Sequence, residues 1–132
     1  MKNKDFIKSQ KILRLATIDP NGNPHIVPVW FDYIKDKFFI GTNTRTRKAR
    51  NIKINSKVSF CIDVGIKSPK IFGIMGIGKA RLILDEKQVQ AIAKKILLRY
   101  FKSLRNKSAQ QLLNDTDCVI EIIPKKLRSW KF

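Results

Sequence analysis

The residues with the clearest capacity for chemistry form one polar and basic stretch, residues 41–51. Hydroxyl and amide side chains end a strand there, and a helix follows that Thr44 is predicted to cap. The first turn of that helix carries Arg45, Arg47 and Lys48, although a helix N-terminus presents free N–H groups and a partial positive charge. Each cation costs about a few tenths of a kcal/mol in that place, and a bound phosphate reverses the sign. The stretch therefore predicts a phosphate site, with a solvated basic helix as the alternative.

Other residue patterns that are typical of catalytic, metal or nucleotide-binding sites are missing from the sequence. The one histidine, His25, has no convergent partners for a catalytic triad or a metal site, and the acidic residues are scattered rather than paired. Gly73, Gly76 and Gly78 do not spell the GxGxxG pattern of a dinucleotide fold, and no GxxxxGK[ST] phosphate loop occurs. The sequence therefore predicts no metal site and identifies no catalytic residue.

Length and composition bound the class of protein. The chain has 132 residues, and 43% hydrophobic content excludes a disordered chain. This length favours a single domain over residues 1–132. No apolar run reaches the roughly 18 residues of a membrane span, and the N-terminus lacks the apolar centre of a signal peptide. Cys61 and Cys118 form no CxxC pair. We therefore expect a cytoplasmic protein with reduced thiols and no membrane partner.

The net charge of +18, from 28 Lys and Arg against 10 Asp and Glu, predicts an anionic partner unless the lysines only solvate the surface. Residues 45–57 and 94–107 are basic and contain no acid. A basic barrel that binds single-stranded nucleic acid is one alternative, with Trp30, Phe31 and Tyr33 as stacking platforms for bases. No zinc spacing, RNP-type motif or basic zipper accompanies them, so the sequence does not favour nucleic acid.

Strand and helix signals place these residues on a mainly β framework. Strands are predicted over residues 12–18, 25–34, 38–42, 58–63, 71–84, 118–123 and, as a last edge strand, 127–132. Helices are predicted over residues 6–11, 45–55 and 85–102, with a further short helical turn at 112–113. The turn at residues 19–23 contains Asn21-Gly22 and joins the first two strands in a hairpin. Tight turns between successive strands predict an antiparallel sheet that curls into a small barrel, with helices packed outside it.

Five segments, in this order, resemble the pyridoxamine 5'-phosphate oxidase-like proteins, which are flavin-binding split barrels. They are residues 15–31, 39–43, 47–52, 58–60 and 124–130. The resemblance implies a mainly β fold with flanking helices, a six- to seven-stranded antiparallel split β-barrel with one long and one or two short helices. It also implies a homodimer with two FMN sites at the subunit interface.

The resemblance assigns cofactor-binding roles to nine residues. They are Arg47 and Lys48 for the phosphate, Thr42 and Asn43 for further hydrogen bonds, Val27, Pro28, Val29 and Trp30 along the isoalloxazine, and Trp130 near the cofactor. Trp30 is equally well explained as a core residue, and Trp130 as an edge residue at the dimer interface. Pro28 suits a strand position that needs no ladder hydrogen bond, because proline has no N–H.

The chain departs from the true vitamin B6 oxidases of this family. Those are longer and carry an arginine- and histidine-containing segment near the C-terminus, so pyridoxamine phosphate oxidation is not expected here. Shorter members resemble reductases that use FMN or the deazaflavin coenzyme F-420, and the cofactor does the hydride chemistry. The sequence thus predicts an FMN-dependent oxidoreductase for an unidentified small molecule. A deazaflavin-dependent reductase is the alternative on the same fold.

Overall fold

The computed structural model describes residues 2–132, and for Lys2 only the backbone. Seven strands and four helices form in the order α1 (Lys2–Ser9), β1 (Leu13–Ile18), β2 (Pro24–Val29), β3 (Asp32–Ile34), β4 (Lys37–Thr42), α2 (Arg47–Ile54), β5 (Lys57–Val64), β6 (Phe72–Ile83), α3 (Glu86–Leu97), α4 (Lys107–Asp115) and β7 (Cys118–Lys131). Within residues 2–132, every helix is too short or too polar to cross a membrane.

All seven strands belong to one antiparallel sheet, in the order β2-β1-β5-β6-β7-β4-β3. The two longest strands, β6 and β7, pair along most of their length around a register shift at Ile77/Gly78. Lys125 is the extra residue of that bulge, because Ile77 pairs with Lys126 and Gly78 with Pro124. A bulge bends its strand and increases the local twist. The sheet accordingly curls into a half-barrel, and the predicted split-barrel fold is confirmed.

The barrel interior is apolar, and its largest fully buried side chains include Phe31, Phe38, Leu13, Leu15 and Ile40. Helix α3 covers part of the outer face of the sheet, where Val89 packs with Ile83 and Val119. The period-two burial pattern of β1, β4 and β5 follows the alternation of their sequences. The side chains that alternate with the buried ones therefore point outward. They form the outer face of the sheet, and α3 covers only part of this face.

The strand predicted over residues 25–34 is interrupted in the structure. β2 pairs with β1, whereas β3 pairs with β4, and Trp30 and Phe31 lie between them. The amide of Phe31 donates to the hydroxyl of Tyr100 at 2.9 Å, and Arg99 donates to the Phe31 carbonyl. The break occurs because the turn that follows α3 supplies the hydrogen bonds that a continued ladder would have supplied.

Other boundaries also differ from the predictions, and helix α1 covers Lys2–Ser9 instead of residues 6–11. Helix α3 ends at Leu97, five residues earlier than expected, and α4 is a full helix where only a short turn was predicted. Residues 118–123 and 127–132 were predicted as separate strands, but β7 runs through Pro124 without a break. Proline is tolerated there because it sits at the bulge. Residues 124–131 pair only with β6, so the predicted edge position holds for this half of β7.

Candidate functional site

The junction between β4 and α2 contains four of the predicted cofactor residues. Thr42 ends β4, Asn43 follows it, and Arg47 and Lys48 are the first two residues of α2. The cap of the helix is Thr46, not Thr44 as predicted, because the Thr46 hydroxyl oxygen accepts from the amide of Ala49 at 3.4 Å. Arg45, expected in the first turn, therefore lies before the helix.

Hydrogen bonds fix the shape of this junction. The Thr46 hydroxyl donates to the carbonyl of Asn43 at 3.0 Å, so in the 3.1 Å contact between the Thr42 and Thr46 hydroxyls Thr42 is the donor. Asp117, which immediately precedes β7, accepts from the amide of Thr44 at 2.9 Å. Thr42 and Asn43 therefore shape the loop that leads into α2.

The first two amides of α2 are free to bind a ligand. The helix start uses the amide of Ala49, bonded to the Thr46 side chain, and the amide of Arg50, bonded to the Thr46 carbonyl. Among the described residues, no acceptor is found for the amides of Arg47 and Lys48. Unpaired amides at a helix N-terminus carry partial positive charge and attract anions.

The cations at this helix start form no ion pair with a described residue, although Arg47 is near enough to Asp19 to contribute, after its backbone hydrogen bonds, to the lowered pKa of that carboxyl. Lys48 is half-buried, and burial lowers the pKa of its amine, with the adjacent Cys118 thiol acting weakly in the opposite direction. None of the five ion pairs found in residues 2–132 includes Lys48 or Arg47. Burial also raises the pKa of Cys118 to about 11, so this neighbour stays a neutral thiol. A desolvated cation without a carboxylate partner fits a site for an external anion.

Helix α2 is held firmly against the barrel. Ala49 and Ile52 are buried, and so is Asn51, whose side-chain amide donates to the Thr17 hydroxyl at 3.0 Å. This buried bond ties α2 to β1 and fixes the rotation of the helix about its axis. The exposed ends of the cations can therefore be ordered by a ligand without movement of the backbone.

The predicted isoalloxazine segment lies on β2, the edge strand next to β1. The Val29 side chain is buried in the core, and the half-buried Val27 packs against the same cluster. Pro28 is exposed and points to the outer face, as expected for a proline on an edge strand. Val29 therefore offers a ligand only its backbone, Val27 its backbone and part of its side chain, and Pro28 its ring.

The two tryptophans have different surroundings. Trp30 stacks on Tyr100 with ring centroids 4.2 Å apart, and it shares a cavity of about 80 Å³ with Gly41, which precedes Thr42. Trp130 lies at the far end of β7, twelve residues from Cys118, a span of up to about 40 Å at 3.3 Å per residue. One chain thus brings Trp30 near the junction but leaves Trp130 far from it.

Trp130 is positioned by Gly73, one of the glycines within β6. Gly73 pairs with Trp130, and a Cβ added at Gly73 would lie 2.3 Å from the indole ring. The indole therefore rests directly on the backbone of β6. A glycine within a strand is a general signal for such a close approach to the backbone.

Replacing Gly73 with alanine is expected to push the Trp130 indole off β6, with a loss of about 1–3 kcal/mol in the free energy of unfolding. The fluorescence of Trp130, read in a Trp30→Phe background, should shift to the red as the ring becomes solvated. Gly41→Ala is the matched control, because its Cβ would meet the Thr116 methyl at an ordinary 3.4 Å. Equal effects of the two substitutions would contradict the contact.

The aromatic platform considered for nucleic acid is not formed. Phe31 is fully buried and Tyr33 is 6% exposed, so neither ring can stack on a base. Trp30 is 36% exposed but already stacked on Tyr100. Phe31 and Tyr33 therefore belong to the core, and Trp30 lies at its border.

Sequence comparison identifies a family and two relatives. The family model described as pyridoxamine 5'-phosphate oxidase matches residues 2–131. The 5a,11a-dehydrotetracycline/5a,11a-dehydrooxytetracycline reductase of Streptomyces rimosus is 34% identical over 71 residues, which are 50% of this chain and 50% of the relative. Heme oxygenase HutZ of Vibrio cholerae is 34% identical over 56 residues, 42% of this chain and 32% of the relative. The matches therefore span half or less of these relatives' own length.

Solved structures share the fold over nearly the whole chain. The conserved hypothetical protein Rv2991 of Mycobacterium tuberculosis superimposes with a TM-score of 0.86 at 24% identity, covering 98% of this chain and 82% of that one. HutZ of Vibrio cholerae, described as a heme storage protein, superimposes with a TM-score of 0.77 at 19% identity, covering 98% and 92%. At these identities the likeness concerns the fold alone.

Proposed function

Because this chain belongs to the pyridoxamine 5'-phosphate oxidase family, whose model matches residues 2–131, we propose that it is a flavin-dependent oxidoreductase. Its cofactor is FMN, bound at the interface of a homodimer, and its reaction is hydride transfer to or from a small molecule. The family commonly binds flavin and includes oxidoreductases, and the Streptomyces relative is named a reductase. These points support the class of reaction without identifying the substrate.

The observation that carries the proposal is the set of donors and cations in the first turn of α2. This turn carries two amides for which no acceptor is found, the half-buried Lys48 amine and the Arg47 guanidinium, and no ion pair found in the described chain includes either side chain. A phosphate oxyanion accepts hydrogen bonds from amides at a helix N-terminus and pairs with cations. The residues present therefore fit the phosphate of FMN.

The chain itself supplies binding and orientation. Arg47 and Lys48 hold the phosphate, and Thr42 and Asn43 keep the preceding loop in the shape that presents them. The outward backbone groups of β2, an edge strand, are free to bond the rim of the flavin ring, and Pro28 packs on it. The flavin, when bound, supplies the capacity to accept or donate a hydride.

A homodimer is proposed because one chain leaves part of the site missing and part of its surface uncovered. Trp130 lies at the end of β7 away from the α2 junction of its own chain, so a second chain is proposed to bring it there. The outer face of the sheet exposes Ile26, Met75 and Ile77 to 65%, 52% and 50%. Family members are commonly dimeric, and an exposed apolar face of this kind suits a subunit contact.

The deazaflavin coenzyme F-420 is the second candidate cofactor. A groove of about 310 Å³ runs beside α2 and is lined by Pro20, Arg47, Arg50 and Ile54. Its two arginines suit the anionic, glutamate-bearing tail of that coenzyme, which FMN lacks. Heme is the third compound to examine, because the Vibrio relative is named a heme oxygenase.

Equilibrium titration with FMN and with riboflavin tests the phosphate site directly, because riboflavin lacks only the phosphate. FMN is expected to bind at least about tenfold more tightly, since a charge-assisted phosphate contact is worth more than about 1.4 kcal/mol. Equal affinities would contradict the assignment. If only F-420 saturates the chain, the cofactor is F-420 and the proposed phosphate site stands. If only hemin saturates it, the flavin proposal is overturned.

A further inference from the structure

A second cavity opens where two neighbouring strands separate. The pairing of β1 with β5 runs from Arg14↔Cys61 to Ala16↔Ser59 and stops there, although β1 continues to Ile18. The facing edges of the two strands are unpaired beyond that point. A cavity of about 500 Å³ lies between them, within the range of about 300–1,000 Å³ that is common for ligand pockets.

The floor of this cavity is apolar. Its side chains include Ala16, Ile18, Pro24, Val58 and Ile77. None of the nine residues predicted to bind the cofactor lines the cavity. It is therefore a different site from the start of α2.

The rim of the cavity is cationic. Lys57, Lys79 and Lys125 line it, no carboxylate does, and none of the ion pairs found in residues 2–132 uses these lysines. Lys57 and Lys79 are also direct partners across β5 and β6. Like charges directly opposite each other in a sheet are destabilising. An anion between the two amines would turn this repulsion into attraction.

We propose that this cavity binds a small amphipathic anion, with its apolar body between β1 and β5 and its acidic group between Lys57 and Lys79. A carboxylate, sulfonate or phosphate has the required charge. The inference does not depend on the flavin proposal, because the cavity and its rim need neither FMN nor the α2 cations. Ile77 also belongs to the apolar face proposed as the subunit contact, so a second copy of the chain is the competing occupant.

The test is a fluorescence titration with 8-anilinonaphthalene-1-sulfonate, an apolar sulfonate, beside the uncharged N-phenyl-1-naphthylamine. The sulfonate should saturate at one molecule per chain and bind the double variant Lys57→Gln/Lys79→Gln about tenfold more weakly, as loss of two charged contacts requires. The double variant Lys94→Gln/Lys95→Gln removes the same charge from the exposed face of α3 and should bind as the parent does. Equal weakening in both double variants would overturn the proposal.

Substitutions that fill the cavity with a larger side chain distinguish binding of the probe in the pocket from its general adsorption to the protein surface. Ala16→Phe should abolish saturable binding of the sulfonate while the circular dichroism and the unfolding midpoint stay near the parent values. If that variant fails to fold, Ser59→Leu occupies the same wall from β5. Unchanged binding in a folded filled variant would overturn the proposal. So would displacement of the probe by FMN, or loss of binding as the chain dimerises, because either result assigns the cavity to another occupant.

Discussion

Replacement of Lys48 by alanine is expected to weaken FMN binding by about 1–3 kcal/mol, the usual range for a lost hydrogen bond to a charged group. The amine is half-buried beside the two free amides of α2, and no carboxylate has been found to compensate it. Isothermal titration of the parent and the variant measures the change. Lys53→Ala removes a cation from the exposed last turn of the same helix and should leave the affinity within a factor of two.

The protonation of Lys48 gives this prediction a second readout. Because burial lowers the pKa of Lys48, its charge is lost at a lower pH than that of an exposed lysine, so FMN affinity should fall as the pH rises toward that value. Lys48→Arg keeps its charge over the whole range and should flatten the decline. An unchanged affinity in Lys48→Ala, or the same pH profile in Lys48→Arg, would show that the phosphate is bound elsewhere.

Replacement of Arg99 by alanine is expected to lower the free energy of unfolding by roughly 3–4 kcal/mol. Its side chain is only 15% exposed, lies 3.8 Å from the Asp32 carboxylate, and donates to the carbonyls of Phe31, Lys8 and Gln10. Alanine removes the side-chain donor of the Lys8 and Gln10 carbonyls and the ion-pair partner of Asp32. It leaves the Phe31 carbonyl with only the Tyr100 hydroxyl, at 3.2 Å. Urea unfolding of the parent and the variant measures the loss.

Two further variants show whether the hydrogen bonds of Arg99 matter more than its charge. Arg99→Lys keeps the charge but cannot reach three carbonyls at once, so its stability should fall between those of the parent and the alanine variant. Arg105→Ala removes an exposed arginine nearby in the chain and should change stability by less than about 0.5 kcal/mol. A loss in Arg99→Ala no larger than this would contradict the role of the cluster.

Local signals account for the parts of the fold that the sequence predicts well. Asn21-Gly22 makes the first turn, with Gly22 at a φ of +84°, and the Asp19 side chain accepts from the amides of Asn21 and Asn23. The alternation of β5 sets its buried face. These features depend on neighbouring residues alone, and so they can be read from a short window.

Features that depend on distant contacts were not predictable. The break at Phe31 needs Arg99 and Tyr100, which lie 68 and 69 residues further along the chain. The sequence also gave no means to prefer Thr46 over Thr44 as the cap, because Asp117, 73 residues away, takes the Thr44 amide. The candidate site was therefore predicted at the level of the segment, while the identity of its free amides came only from the structure.

The measurement that tests the central claim most directly is the visible absorption spectrum of the purified chain during titration with FMN, with the molecular mass followed by sedimentation in the same samples. The account predicts a bound flavin spectrum that saturates at one FMN per chain, in a particle with the mass of two chains. A chain that saturates with neither FMN nor F-420 would contradict the proposed function, whatever its oligomeric state.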